Sequence, residues 1–193
     1  MTNHISKMIT NFFLQQKSIS EDEKEIYQYG VEITISSILN ILLVLLLSML
    51  FRSVLSGIVF LVCFIYVRRY TGGYHAETYF RCNSALCITY IAVFIISKGV
   101  HISNFVFLLI ILIGLIIVIR YSPVNNTHKS LSGNEKKRYH YLAVTVYIIF
   151  SIIGFFIIEF NIFYGKIILL TLLSIALIII IEIILQGRGI HES

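Results

Sequence analysis

Six apolar runs, near 31–51, 53–67, 84–97, 102–119, 141–158 and 162–185, constrain this chain more than any other feature. The first and last can each cross a hydrocarbon core alone, because about 20 residues at roughly 1.5 Å rise suffice. The fourth and fifth are adequate with their flanking tyrosines, while the second and third are short. With 58% hydrophobic and only 13% charged residues in 193, a soluble domain could not hide its apolar surface, so the bilayer must serve as solvent. The expected fold class is all-α: a polytopic transmembrane helical bundle of about six hydrophobic segments with an N-terminal interfacial amphipathic helix. It reads as one unit over 1–193, with a leader over 1–30 and a membrane bundle over 31–185. No secretory signal is expected, since the first long apolar run starts at Val31 behind a polar leader.

Basic residues orient the spans. With the N-terminus in the cytoplasm, the inside segments hold Lys7, Lys17, Lys24, Arg68, Arg69, Arg81, Arg120, Lys129, Lys136, Lys137, Arg138 and Arg188. The outside turns hold only Arg52, Lys98 and Lys166. That asymmetry follows the positive-inside rule and puts both termini and the 68–83 stretch in the cytoplasm of a multi-pass membrane protein. A four-span arrangement, with the two short runs folded back, ranks second because it would strand three arginines at apolar depth or outside. The net charge of +5 then reads as membrane-surface chemistry toward lipids, not nucleic-acid binding.

In the leader, Ile5, Met8, Ile9, Phe12 and Phe13 recur at helical spacing opposite Lys7, Asn11 and Gln15, which suits a helix lying in the membrane interface. Ser20 and Glu23 have capping-box spacing, so a second helix is expected to start there and run into the first span. Three cysteines, with no CxxC, argue against a disulfide framework or a structural zinc site. Cys63 and Cys87 lie in apolar runs, where a free thiol behaves as a small hydrophobe. Cys82 alone has polar and charged neighbours.

Cys82 closes the most polar short connection of the first half, RRYTGGYHAETYFRC at 68–82. Gly72-Gly73 is a poor helix interior. It reads either as a turn ending the second span or as a place where a substrate backbone can approach. Singly, His75 and Cys82 are most simply an interfacial histidine and a helix-start thiol. Together they can form a nucleophile and its base, with Arg81 and a helix N-terminus favouring the thiolate. On one unbroken helix they would stand about 10.5 Å apart along the axis, so a working dyad needs a break between Tyr74 and Cys82.

GGYHAETYFRC resembles the signature of the AgrB (accessory gene regulator B) family, in which Gly-(Gly/Ala)-X-His-Ala is followed by a Cys seven residues after the His. EIYQYGVEI at 25–33 and SPVNN at 122–126 are similar to the family in the same order. The resemblance implies a membrane cysteine endopeptidase of Gram-positive quorum sensing that cuts an AgrD-like precursor peptide on the C-terminal side of the future signal. Carried onto this chain, Cys82 is the nucleophile and His75 the general base, and the product is a cyclic thiolactone or lactone. Attack by Cys82 would release the precursor's tail and leave an enzyme thioester, which an internal Cys or Ser then captures. No third member stands out, although Glu77 and Asn83 are near, and no cofactor or metal is expected.

Around the motif, Gly72, Gly73, Arg69 and Arg81 are candidates for substrate contact. Lys129, Lys136, Lys137 and Arg138 form a second basic cluster, which is either a solvated topology anchor or a dock for an acidic precursor tail. Glu32, Lys166 and Glu182 lie near span ends, where snorkelling is the simpler account. The competing classes are a small transporter, disfavoured by the lack of mid-depth ionisable ladders or an inverted repeat, and a non-catalytic scaffold. A homodimer is a reasonable expectation for a bundle with two short spans.

Overall fold

A computed structural model describes residues 2–16, 24–72, 79–124 and 133–187, with the side chains of 2–5, 15, 79–82 and 186–187 left out of the description. Among the described residues there are seven helices and no strand: α1 (Thr2–Gln15), α2 (Lys24–Leu50), α3 (Val54–Thr71), α4 (Tyr79–Gly99), α5 (Asn104–Tyr121), α6 (Gly133–Phe160) and α7 (Ile162–Gly187). Each of the six apolar runs is one helix. Five of them are long and apolar enough to cross a membrane, while the apolar part of α4, Asn83–Gly99, is shorter. The Ser20/Glu23 capping box lies outside the described residues, but α2 begins at Lys24 and does run unbroken through the first span.

α1 sorts its faces as an interfacial helix must. Ser6 and Thr10, one turn apart, are buried, and α1 packs on α2. Ser6 Oγ donates to Glu32 Oε1 at 2.9 Å. Met8, Phe12 and Phe13 remain exposed, which leaves the apolar stripe free for lipid.

α7 is the centre of the bundle, packed against α3, α4, α5 and α6. Ile167, Leu169, Leu172, Ala176 and Ile179 have no exposed surface. Lipid tails are as apolar as leucine, so burial alone cannot hold helices together in a bilayer and close backbone approach must contribute. Small residues permit it here. A Cβ added at Gly165 would lie 2.7 Å from Ile158 N and 2.9 Å from Gly154 O, so α6 and α7 touch backbone to backbone. Likewise a Cβ on Gly57 of α3 would sit 2.7 Å from Ser48 of α2.

One end of the bundle gathers the 51–53 turn, the 100–103 connection and the α6–α7 junction at Asn161. Here the Phe51 and Phe94 rings stack at 4.6 Å between centroids, and Phe163 meets Phe94 edge-on at 5.6 Å. Tyr90, fully buried, shares a 2.8 Å hydrogen bond with Ser56 Oγ, joining α4 to α3. Lys166 does not snorkel as its position near a span end suggests. It is 7% exposed, and its Nζ donates to Val100 O at 2.8 Å. The ammonium thus serves a carbonyl at the C-terminus of α4, where helix ends leave acceptors unpaired and the dipole favours a cation. Glu182, near the other end of α7, is also buried rather than snorkelling.

Candidate functional site

The motif lies at the opposite end, between α3 and α4. α3 stops where the sequence stops supporting it. The Gly72 N–H donates to Arg68 O at 3.2 Å, and Gly72 takes φ +69°, a left-handed conformation that favours glycine. Space excludes a side chain there as well, because a Cβ would fall 2.8 Å from Val124 O. Gly72 is therefore a tight structural terminator packed on Val124.

Gly73 and His75 lie outside the described residues. Arg81 and Cys82 fall in the first turn of α4, with their side chains outside the description. The helical register is therefore broken between α3 and α4, so the separation that one continuous helix would impose does not apply. Arg69 is exposed with its guanidinium 5.8 Å from the Tyr70 ring centroid. Lys129 lies outside the described residues, while Lys136, Lys137 and Arg138 are exposed in the first two turns of α6. Cations near a helix N-terminus work against its dipole, so this row does not exist for the stability of α6.

Contacts between distant segments frame the motif, and sequence reasoning did not find them. Next to Cys82, Asn83 is buried and its Oδ1 accepts from Ser36 Oγ at 3.1 Å, pinning the start of α4 to α2. At the end of α3, Thr71 O accepts from Val124 N at 3.1 Å and from Ser122 Oγ at 3.4 Å. Ser122 O in turn accepts from His140 Nδ1 at 2.7 Å, which brings in α6. SPVNN was noticed as a motif; its role as the brace of α3 had no signal in residue spacing.

The other thiols are accounted for differently. Cys63 is fully buried with its Sγ 3.9 Å from Ile168 O, and Cys87 is half-buried on α4. Among the described residues no cluster of His, Cys, Asp or Glu could hold a metal. A cavity of about 760 Å³ lined by His101, Asn104, Phe107, Glu159 and Lys166, among others, opens at the far end, away from the motif.

A multi-pass membrane bundle with a polar His/Cys motif braced at one end is the class that these features define. The chain matches the family described as accessory gene regulator B over residues 6–185, and it belongs to that family. It is 28% identical over 145 residues to AgrB-like protein 2 of Clostridium perfringens (strain 13 / Type A), covering 72% of this chain and 68% of that protein. It is 30% identical over 94 residues to protein FsrB of Enterococcus faecalis (strain ATCC 47077 / OG1RF), covering 49% and 39% of the two chains. No solved structure matches it. Family membership implies a part in quorum-sensing autoinducer processing, with an AgrD-like precursor as substrate.

Proposed function

We propose that this protein is a membrane-embedded cysteine endopeptidase that removes the C-terminal tail of an AgrD-like precursor and promotes closure of a thiolactone or lactone ring. Cys82 is the nucleophile and His75 its general base. The observation that carries this reading is the helix break within the family motif. α3 is capped at Gly72, and Cys82 lies in the first turn of α4, which supports the break that a His75/Cys82 pair needs.

A helix N-terminus and Arg81 favour the thiolate. The Cys82 thiolate adds to the scissile carbonyl, the C–N bond breaks, and the proton held by His75 leaves with the tail amine. The resulting thioester is captured by a Cys or Ser of the bound peptide, so the ring closes and the thiol is regenerated. Backbone N–H groups in the first turn of α4 are the candidate oxyanion donors. The twelve-to-three distribution of basic residues supports a cytoplasmic position for this end and both termini, where thiols remain reduced. The exposed Lys136, Lys137 and Arg138 offer an acidic tail a place to lie.

The test is intact-mass spectrometry of the protein co-expressed with a candidate precursor from a neighbouring reading frame. A peptide-sized adduct is expected on Cys82, with none in Cys82→Ala. Unchanged processing by Cys82→Ala would return the chain to the transporter or scaffold classes.

A further inference from the structure

We infer that His140 is a positioning residue that fixes where the His75 connection leaves α3; the inference rests on the His75/Cys82 reading above. Ser122 O can only accept, so at 2.7 Å the Nδ1 of His140 carries the proton and donates it. Ser122 passes the constraint on, because its hydroxyl donates to Thr71 O at 3.4 Å while Val124 N–H donates to the same oxygen at 3.1 Å. That oxygen is one of the terminal carbonyls for which a helix has no internal donor, and Thr71 is fully buried. The next residue, Gly72, is wedged against Val124 O.

A chain of contacts thus runs from His140 through Ser122 to Thr71 and Gly72, three residues before His75. It starts two residues beyond Arg138, so α6 links the basic row to the end of α3. The local ties at this helix end, the Gly72 N–H to Arg68 O and the Thr71 hydroxyl to Gly72 O at 3.3 Å, do not reach another element. Without the His140 donor, the 122–124 segment loses its hydrogen bond to α6, and the brace on Thr71 and Gly72 at the end of α3 is weakened.

The experiment follows alkylation of Cys82 by N-ethylmaleimide at pH 7 in the purified full-length protein, located by mass spectrometry of the Cys82 peptide. This probe needs no precursor and reports the thiolate that His75 supports. His75→Ala is expected to slow the reaction by about tenfold and His140→Ala by about fivefold. His140→Asn keeps a donor on the atom attached to Cγ, where Nδ1 sits, and should stay within about twofold of the native rate. Ser122→Ala, which cuts the hydroxyl link without touching α6, should slow it by about twofold and serves if His140→Ala does not fold. Thermal unfolding is recorded for each variant.

A native rate in both His140→Ala and Ser122→Ala, with His75→Ala slow, overturns the inference and leaves the dyad standing. So does a His140→Asn protein that melts like the native one yet reacts as slowly as His140→Ala. A native rate in His75→Ala overturns the dyad, and the inference falls with it.

Discussion

The two ends of this bundle are built by different means. At the far end, helices join through a few residues, Phe51, Phe94 and Phe163 interlock, and the buried Lys166 ammonium satisfies a helix carbonyl. At the motif end, the ties between the described segments are hydrogen bonds through small polar groups: Ser36 to Asn83, Ser122 to Thr71, His140 to Ser122. Ring packing fixes a shape by contact over large surfaces. A hydrogen bond fixes a few atoms and leaves the space beside them open. On the proposed reading, the difference assigns stability and chemistry to opposite ends.

The strongest challenge to that division is His75→Ala. It should lower precursor processing by about 10²–10⁴-fold, the range for loss of a general base, without lowering folded yield. Single-turnover cleavage measured against native protein checks this, and a loss of less than about threefold would remove chemistry from the motif end.

Paired glycine substitutions sharpen the contrast further. Gly72→Ala forces a side chain into φ +69° and against Val124 O, a strain of about 1–3 kcal/mol, and should cut activity per folded molecule about tenfold by displacing the start of the connection. Gly165→Ala crowds α6 against α7 and should cost about 1–3 kcal/mol of stability while leaving activity per folded molecule unchanged. Thermal melts and specific activities of the two variants, compared side by side, would blur the division if both lost the same property.

A smaller effect is expected from charge. Lys136→Glu combined with Lys137→Glu should raise KM for an acidic-tailed precursor by about fivefold at low salt and leave kcat alone. The difference should shrink near 1 M salt, where the Debye length is about 3 Å. A precursor with a neutral tail is the control, and an equal rise in its KM would assign the row to topology instead.

The smallest effect on turnover belongs to Lys166→Met, which leaves Val100 O without its donor. It should lower stability by about 1–3 kcal/mol with processing intact, as read by melting temperature and turnover. Lost turnover at full stability would mean that the far end takes part in the reaction.

The helices were legible because their signal is local. Each apolar run carries its own length, and the leader's stripe marked which residues of α1 stay out of the protein, as Met8, Phe12 and Phe13 do. The motif was legible as a pattern of residues, and the need for a helix break followed from axial spacing alone. What escaped depends on which segments meet. Nothing near position 83 says that Ser36 will face Asn83, and nothing near 140 points to Ser122. Lys166 looked like a span-end lysine because sequence shows its distance from the end of α7, not that the end of α4 arrives above it. For the same reason Gly72 was legible as a breaker of α3 but not as the residue pressed against Val124.

The placement of α7 has a consequence for how such a chain is made. α3, α4, α5 and α6 all precede it, yet it is the element that packs against each of them. Synthesis proceeds from the N-terminus, so the four enter the membrane before the helix that unites them exists. Until α7 arrives they have no common partner, and Gly154 lacks the Leu169 and Ile168 side chains that pack on it. A nascent chain halted before Ile162 therefore already holds the partners of the motif-end ties, from Ser36 to Asn83 and from His140 to Ser122, but lacks the one helix that packs against α3, α4, α5 and α6 together.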